Sequence, residues 1–330
     1  MKPPYFWKAG LDPWSRDAAP VTRQILTPAA WLYAALTARR IKTTLPRKVG
    51  AVVICVGNLT AGGTGKSPIV QELRSALASE TSSRVASLSR GYGGSLKGPA
   101  RVDEVKHVAA EVGDEPLMLS LTGESWIGRD RAEAGEAMST DGVDIIIMDD
   151  GHQNPTLAKD LSIVVVDAEA GFGNGFIIPK GPLREPAHIG LERADILIAM
   201  GDGDLPPAVG ESRKPVFRAR IKPSAAPPSG PYVAFAGIGR PEKFFASLES
   251  LNCDVRDAVP FDDHHPYRSD DLAYLRSLAK DHAAQLITTE KDFARLPQEQ
   301  RSDVLTLPVT VEFDDRPGLM QILLTALERH

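Results

Sequence analysis

The stretch Ala51–Ser67, AVVICVGNLTAGGTGKS, constrains the fold more than any other part of the chain. Its first six residues, Ala51 to Val56, are apolar, rich in β-branched side chains, and run straight into a glycine-dense turn. That pattern predicts a buried parallel strand feeding a loop and then a helix. The loop ends in Gly65-Lys66-Ser67. In a P-loop, backbone N–H groups of the turn and helix N-terminus point at phosphate oxygens, the lysine neutralises phosphate charge, and the serine hydroxyl ligates Mg²⁺. The strict pattern asks for glycine where Thr60 stands, and Gly62 and Gly63 lie inside the motif, so this is a variant loop that keeps its freedom for positive φ. A nucleotide-phosphate site is expected over Thr60, Ala61, Gly62, Gly63, Thr64, Gly65, Lys66 and Ser67. The alternative is a glycine-rich strand-to-helix turn that binds nothing.

The chain has 330 residues, enough for two domains and a sizeable core. With 38 Lys plus Arg against 43 Asp plus Glu, the net charge of −5 argues against a protein that holds nucleic acid through its global field. The two cysteines, Cys55 and Cys253, make neither a disulfide framework nor a metal spacing, which suits a reducing cytosolic setting. The N-terminus MKPPYFWKAG lacks the apolar run of a signal peptide, and no stretch approaches the length needed to span a bilayer.

Along the chain the expected architecture is α/β: a P-loop NTPase-like, mainly parallel sheet domain followed by a second, smaller α/β domain. Residues 1–50 form an N-terminal helical segment, in which Trp31, Leu32, Tyr33 and Leu36 precede Arg39, Arg40 and Lys42. Such a helix either lies at a membrane interface or packs on the core. The core domain is expected over 51–221, a Pro/Ser/Ala-rich linker over 222–231, and the smaller domain over 232–330, ending in a strand at 309–313. Within the core, SRGYGG is a glycine-rich loop at a strand end. Gly113-Asp114-Glu115-Pro116 has the grammar of a helix start, so capping alone would explain Asp114. An apolar strand at 143–148 terminates in Asp149-Asp150, the Walker-B arrangement for reaching Mg²⁺ beside a P-loop. In the smaller domain, FDDHH and TTEKD are the polar clusters.

VGNLTAGGTGKSP, SRGYGG, VGDEP, DDGHQ, the GPLRE loop, FDDHH and TTEKD together resemble, in order, the motifs of the tetraacyldisaccharide 4′-kinases, the lipid A 4′-kinases of Gram-negative bacteria, over residues 50 to 315. The resemblance implies transfer of the ATP γ-phosphate to the 4′-hydroxyl of an acylated glucosamine disaccharide 1-phosphate, by a peripheral protein at the cytoplasmic face of the inner-membrane lipid surface. ATP and Mg²⁺ are the implied cofactors, and neither nucleic acid nor an obligate protein partner is expected. Carried over by motif, Lys66 and Ser67 fall on the phosphate and Mg²⁺ positions, Asp149 and Asp150 on the metal acids, Asp114 on the catalytic base, and His264 on its partner. Arg131 and Glu185 also fall on catalytic motif positions. Two departures are His152 and Asn154 after the acid pair, and Ser67 in place of the commoner threonine, which keeps the hydroxyl. The membrane reading of the N-terminal helix follows from such a substrate. The runner-up is a P-loop NTPase that switches partners by hydrolysis, and a third reading is a non-enzymatic peripheral membrane protein.

Overall fold

A computed structural model of the protein describes residues 3–328, so the outermost residues of the expected segments 1–50 and 232–330 lie outside it. Its strands are β1 (Val52–Gly57), β2 (Val85–Ser89), β3 (Ala100–Arg101), β4 (Ser125–Ile127), β5 (Ile145–Asp149), β6 (Leu161–Asp167), β7 (Ile196–Met200), β8 (Val216–Pro223), β9 (Pro231–Ala236), β10 (Asp254–Pro260), β11 (Gln285–Thr289), β12 (Val304–Leu307) and β13 (Val309–Phe313). A nine-stranded sheet runs in the order β13-β8-β7-β6-β1-β5-β2-β4-β3, parallel except at its two edges. A four-stranded parallel sheet, β10-β9-β11-β12, forms the small lobe.

The central strands β1, β5, β6 and β7 are buried along their whole lengths, as apolar strands covered on both faces must be. Alternate residues of β1 serve opposite layers. Ile54 and Val56 pack with Ile69, Leu73 and Leu77 of the helix Lys66–Glu80, while Val53 and Cys55 pack with Met138 and Leu157. The small lobe repeats the arrangement, with Val233 and Phe235 in one apolar cluster and Tyr232 and Ala234 in another.

The chain's end corrects the expected boundary. Strand β13 pairs antiparallel with β8, from Val309↔Pro223 to Phe313↔Ala219, and so belongs to the large sheet. The following helix Arg316–Leu327, not anticipated from the sequence, buries Leu319, Met320 and Leu323 in the same cluster as the P-loop helix. The reason lies in the alternation of 309–313: Val311 and Phe313 are buried while Thr310 and Glu312 are exposed, which suits an edge strand with one face covered. The linker is also shorter than expected, since Lys222 and Pro223 belong to β8 and Pro231 opens β9.

The helix Thr27–Thr43 contrasts with the P-loop helix. Of its 17 residues only Ala30 is buried. Trp31, Leu32 and Leu36 are 73%, 61% and 57% exposed.

Candidate active site

The P-loop lies at the C-terminal end of β1, where ligands bind in open α/β sheets. Gly65 adopts φ +80° immediately before the helix that begins at Lys66, a backbone state in which a side chain would be strained. Fully buried Asn58 organises the loop from within: its Nδ2 donates to the Gly62 carbonyl at 3.4 Å and to Thr64 Oγ1 at 3.3 Å. Ala61 N donates to Pro182 O at 2.7 Å and Arg184 N to Leu59 O at 2.8 Å, so the GPLRE stretch is zipped onto the P-loop. Lys66 Nζ stands 3.4 Å from Asp150 Oδ1. Ser67 follows, half-buried in the first helical turn, where backbone N–H groups have no partners within the helix.

Asp149 and Asp150 sit side by side in the chain but in different electrostatic settings. Asp149 ends β5 in register with Val56 of β1. Its Oδ1 is buried without a hydrogen-bond partner among the described residues. Burial pushes its carboxyl up to about 7, with Glu115 and Asp150 adding to the rise and Lys66 and Arg131 opposing it. Asp150 adopts φ +50°, uncommon for a residue with a side chain. Arg184 Nη1 donates to both of its oxygens at 2.9 Å. Burial raises the Asp150 carboxyl as well, but Lys66 and Arg184 outweigh that and hold it below the usual range.

An orphaned, buried carboxylate oxygen beside a P-loop fits a bound cation. Among the described residues no group of three or more His, Cys, Asp or Glu side chains forms a metal cage. Asp149 with Asp150 beside it offers the one or two carboxylates that Mg²⁺ takes from a protein, the rest of its shell being water and phosphate oxygens.

Asp114, also in the large lobe, opens the helix Asp114–Ser120, but its side chain makes no capping hydrogen bond. Gly113 before it has φ +90°, and a Cβ there would stand 2.6 Å from the Tyr92 carbonyl, so only glycine lets this turn lie against SRGYGG. The Asp114 Oδ2 accepts from His264 Nδ1 at 2.7 Å and lies 2.8 Å from both Nε and Nη2 of Arg295. Burial favours the neutral acid, yet the His264 hydrogen bond and the charges of Arg295 and Lys291 hold the carboxyl well below the usual carboxylate range. Asp114 is therefore an acceptor only, which fixes the hydrogen of the His264 ring on Nδ1. The next residue in sequence ties this centre to the acid pair: Glu115 is paired with Lys291 at 3.6 Å and is close enough to raise Asp149.

The other two residues expected to be catalytic are both buried. Arg131 donates from Nη1 to Gly128 O at 2.5 Å, and is lowered to about 10 by burial, with Asp149 pulling upward and Arg90 downward. Glu185 is paired twice with Arg193, at 2.7 and 2.8 Å, and accepts from Gln153 Nε2 at 2.9 Å. His152 shares its Nε2 with Gly190 O at 2.9 Å and is pushed down to about 4 by burial, so that departure from the family pattern is a buried neutral ring in the wall. Sequence reasoning missed Arg295, Arg184, Asn58 and Gln153 as site residues. Each lies inside or within three residues of a motif already singled out, and that adjacency was the available signal.

Comparison with known proteins identifies the family. The family model for tetraacyldisaccharide-1-P 4′-kinase matches residues 22–328. The chain is 55% identical over 329 residues to the tetraacyldisaccharide 4′-kinase of Hyphomonas neptunium, covering 100% of this chain and 99% of that one. It is 48% identical over 331 residues to the enzyme of the same name from Maricaulis maris, covering 98% and 96%. In fold it is similar to a crystal structure described as "apo" form LpxK from Aquifex aeolicus in complex with ATP, with a TM-score of 0.74, 24% identity, and coverage of 93% of this chain and 99% of that one. These matches do not favour a partner-switching NTPase. Matched along nearly its whole length, the chain belongs to the tetraacyldisaccharide 4′-kinase family and is an ATP-dependent kinase of lipid A biosynthesis.

Proposed function

We propose that Lys66, Asp149 and Asp150 together with Asp114 and His264 carry the phosphoryl transfer. The observation that carries this reading is the Asp114–His264 hydrogen bond of 2.7 Å, formed between the two lobes, with Glu115, next to Asp114, close enough to act on Asp149. Phosphoryl transfer asks for positioning and charge neutralisation more than covalent help. Lys66 and the N–H groups at the start of its helix hold the β- and γ-phosphates, and Ser67 and Asp149 hold Mg²⁺, with Asp150 held beside them by Arg184. Bound there, Mg²⁺ supplies further neutralisation of the phosphate oxygens. The sugar 4′-hydroxyl attacks the γ-phosphorus, the bond to the β–γ bridging oxygen breaks, and ADP leaves. The hydroxyl proton passes to Asp114, whose Oδ1 is left for it because its partners gather on Oδ2. His264 orients that carboxylate.

The same substrate suggests how the protein meets its lipid. Among the described residues no helix is long and apolar enough to cross a membrane. The helix Thr27–Thr43 instead exposes Trp31, Leu32 and Leu36 and carries Arg39, Arg40 and Lys42, also exposed, with no acidic residue. Val21, Ile25 and Trp14 extend the exposed apolar surface. This composition suits the interface of the inner membrane's cytoplasmic leaflet, apolar groups at the acyl boundary and cations near anionic headgroups. Radiolabelled ATP and purified acylated disaccharide 1-phosphate, resolved by thin-layer chromatography, test the reaction: label should enter the lipid only with Mg²⁺ present, and label released solely as phosphate would overturn the reading. Making Trp31, Leu32 and Leu36 polar should weaken binding to anionic vesicles without unfolding the protein. Lower thermal stability with unchanged vesicle binding would assign the helix to the fold.

A further inference from the structure

Asp114 has a second partner besides His264, better buried and more firmly held. Arg295 ends the short helix Glu290–Arg295 of the small lobe, and its side chain is 5% exposed. Its Nη1 donates to the Gly237 carbonyl at 2.7 Å and to Asp292 Oδ1 at 2.8 Å, while Nε and Nη2 reach Asp114 Oδ2 in the large lobe. Asp292, fully buried, is itself fixed on every side. It accepts from Gly237 N at 3.1 Å, Tyr267 Oη at 3.0 Å and Thr289 Oγ1 at 2.7 Å. A guanidinium whose fork is filled on one edge by its own lobe has one edge left, and that edge is given to the carboxylate across the cleft.

We infer that Arg295, braced by Asp292, is a positioning residue of the phosphoryl transfer: it aims the Asp114 carboxylate from the opposite lobe and turns Oδ1 toward the acceptor hydroxyl. The inference rests on the assignment of Asp114 as the group that takes the acceptor proton. A flexible carboxylate has rotamers in which either oxygen faces the cleft. Three donors on Oδ2 leave one of them, and misplacement by about 1 Å is enough to cost on the order of 10²-fold in rate. The groups facing Asp114 are His264 with Asp263 beyond it, Arg295 backed by Asp292, and Lys291 with Glu115 beside it. Arg295 is the one of these cations that is both buried and doubly bonded to the carboxylate.

The test is the split between kcat and KM in Arg295→Gln and Arg295→Lys proteins, repeated in an Asp114→Asn background, with thermal melting as the check on folding. Arg295→Gln should lower kcat by roughly 10–100-fold and leave KM for ATP in place. Because Arg295 acts through the Asp114 carboxylate, the same change made in the Asp114→Asn protein should lower kcat less than about twofold further. Arg295→Lys keeps the charge without the fork, so kcat should stay reduced. A Gln protein that melts normally and turns over within about twofold of the parent overturns the inference, and so does a full further loss in the Asp114→Asn background. Should the Gln protein not fold, the Lys variant decides on the same two readings. Full activity in Asp114→Asn removes the base assignment itself, whereas a strongly reduced Asp114→Asn with multiplicative losses removes only the role given to Arg295.

Discussion

The large lobe carries two carboxylate centres, Asp149 at the end of β5 and Asp114 at a helix start, and they are wired in opposite senses. Asp149 is buried with an oxygen lacking any partner, and its carboxyl is pushed up to about 7. Asp114, also largely enclosed, is surrounded by His264, Arg295 and Lys291 and sits well below the usual range. The difference teaches where each centre gets its positive charge. At Asp114 the cations are side chains, present whenever the chain is folded. At Asp149 the surrounding Lys66 and Arg131 do not outweigh burial. In the function proposed above, the first becomes a base ionised before substrate arrives and the second a metal acid completed by its ion, two solutions to burying a carboxylate.

The largest effects that would break this comparison are catalytic. Asp114→Asn should lower kcat by roughly 10²–10⁴ while nucleotide binding stays nearly intact, since asparagine keeps the shape and caps a helix about as well. Lys66→Ala should cost several kcal/mol of transition-state stabilisation, at about 1.4 kcal/mol per tenfold in rate. Near-parent turnover in either folded variant removes the corresponding assignment.

Next in size is a difference in the sign of stability. Asp149 has its folded pKa above the unfolded one, so its stabilising contribution is present below about pH 4 and is lost as pH rises through about 7, at about 1.4 kcal/mol per unit. Asp149→Asn should therefore melt higher than the parent in chelator at pH 8, with the gap shrinking toward pH 4. Asp114 is shifted the other way: its contribution is present above the unfolded carboxylate range and lost as pH falls below it. Asp114→Asn should melt lower than the parent at neutral pH because Arg295 is left facing a neutral group. Melting shifts of the same sign in both variants would erase the contrast.

Smaller still is the proton that metal displaces. Mg²⁺ binding in the presence of nucleotide should weaken by up to about tenfold per pH unit below 7, with proton release near pH 6 that disappears by pH 8. Calorimetry in buffers of different ionisation heat reads this directly, and pH-independent binding would place the ion away from Asp149. The smallest effect belongs to Lys291→Met. Its pair with Glu115 is 3.6 Å long and the Glu115 side chain is 41% exposed, so a change of about 0–1 kcal/mol in stability is expected.

Much of this was legible in the chain because it is local. The strand-loop-helix at 51–67 and the strand ending in Asp149 are contiguous patterns, and period and punctuation reveal them. What escaped depends on contacts far apart in sequence. Arg295 meets Asp114 across 181 positions, and nothing in FARL says which carboxylate it will face. Glu185 sits in a motif singled out in the sequence, but its partner Arg193 stands at the far end of the short helix Ala187–Glu192, whose direction the sequence leaves open. Strand β13 was recognised as a strand and assigned to the wrong sheet, because alternation tells which face is buried and not which neighbour supplies the hydrogen bonds.

That last strand also orders events during synthesis. The small lobe's four strands lie between Pro231 and Leu307, wholly inside the span from β8 to β13. As the polypeptide leaves the ribosome N-terminus first, every residue of the small sheet emerges before the edge strand that completes the large one. The guest can finish folding while its host still waits for the residues that seal its border and cover its core with Leu319, Met320 and Leu323. A message truncated at codon 308 would then yield a finished small lobe attached to an unfinished kinase, with the edge of β8 open to pair with another chain.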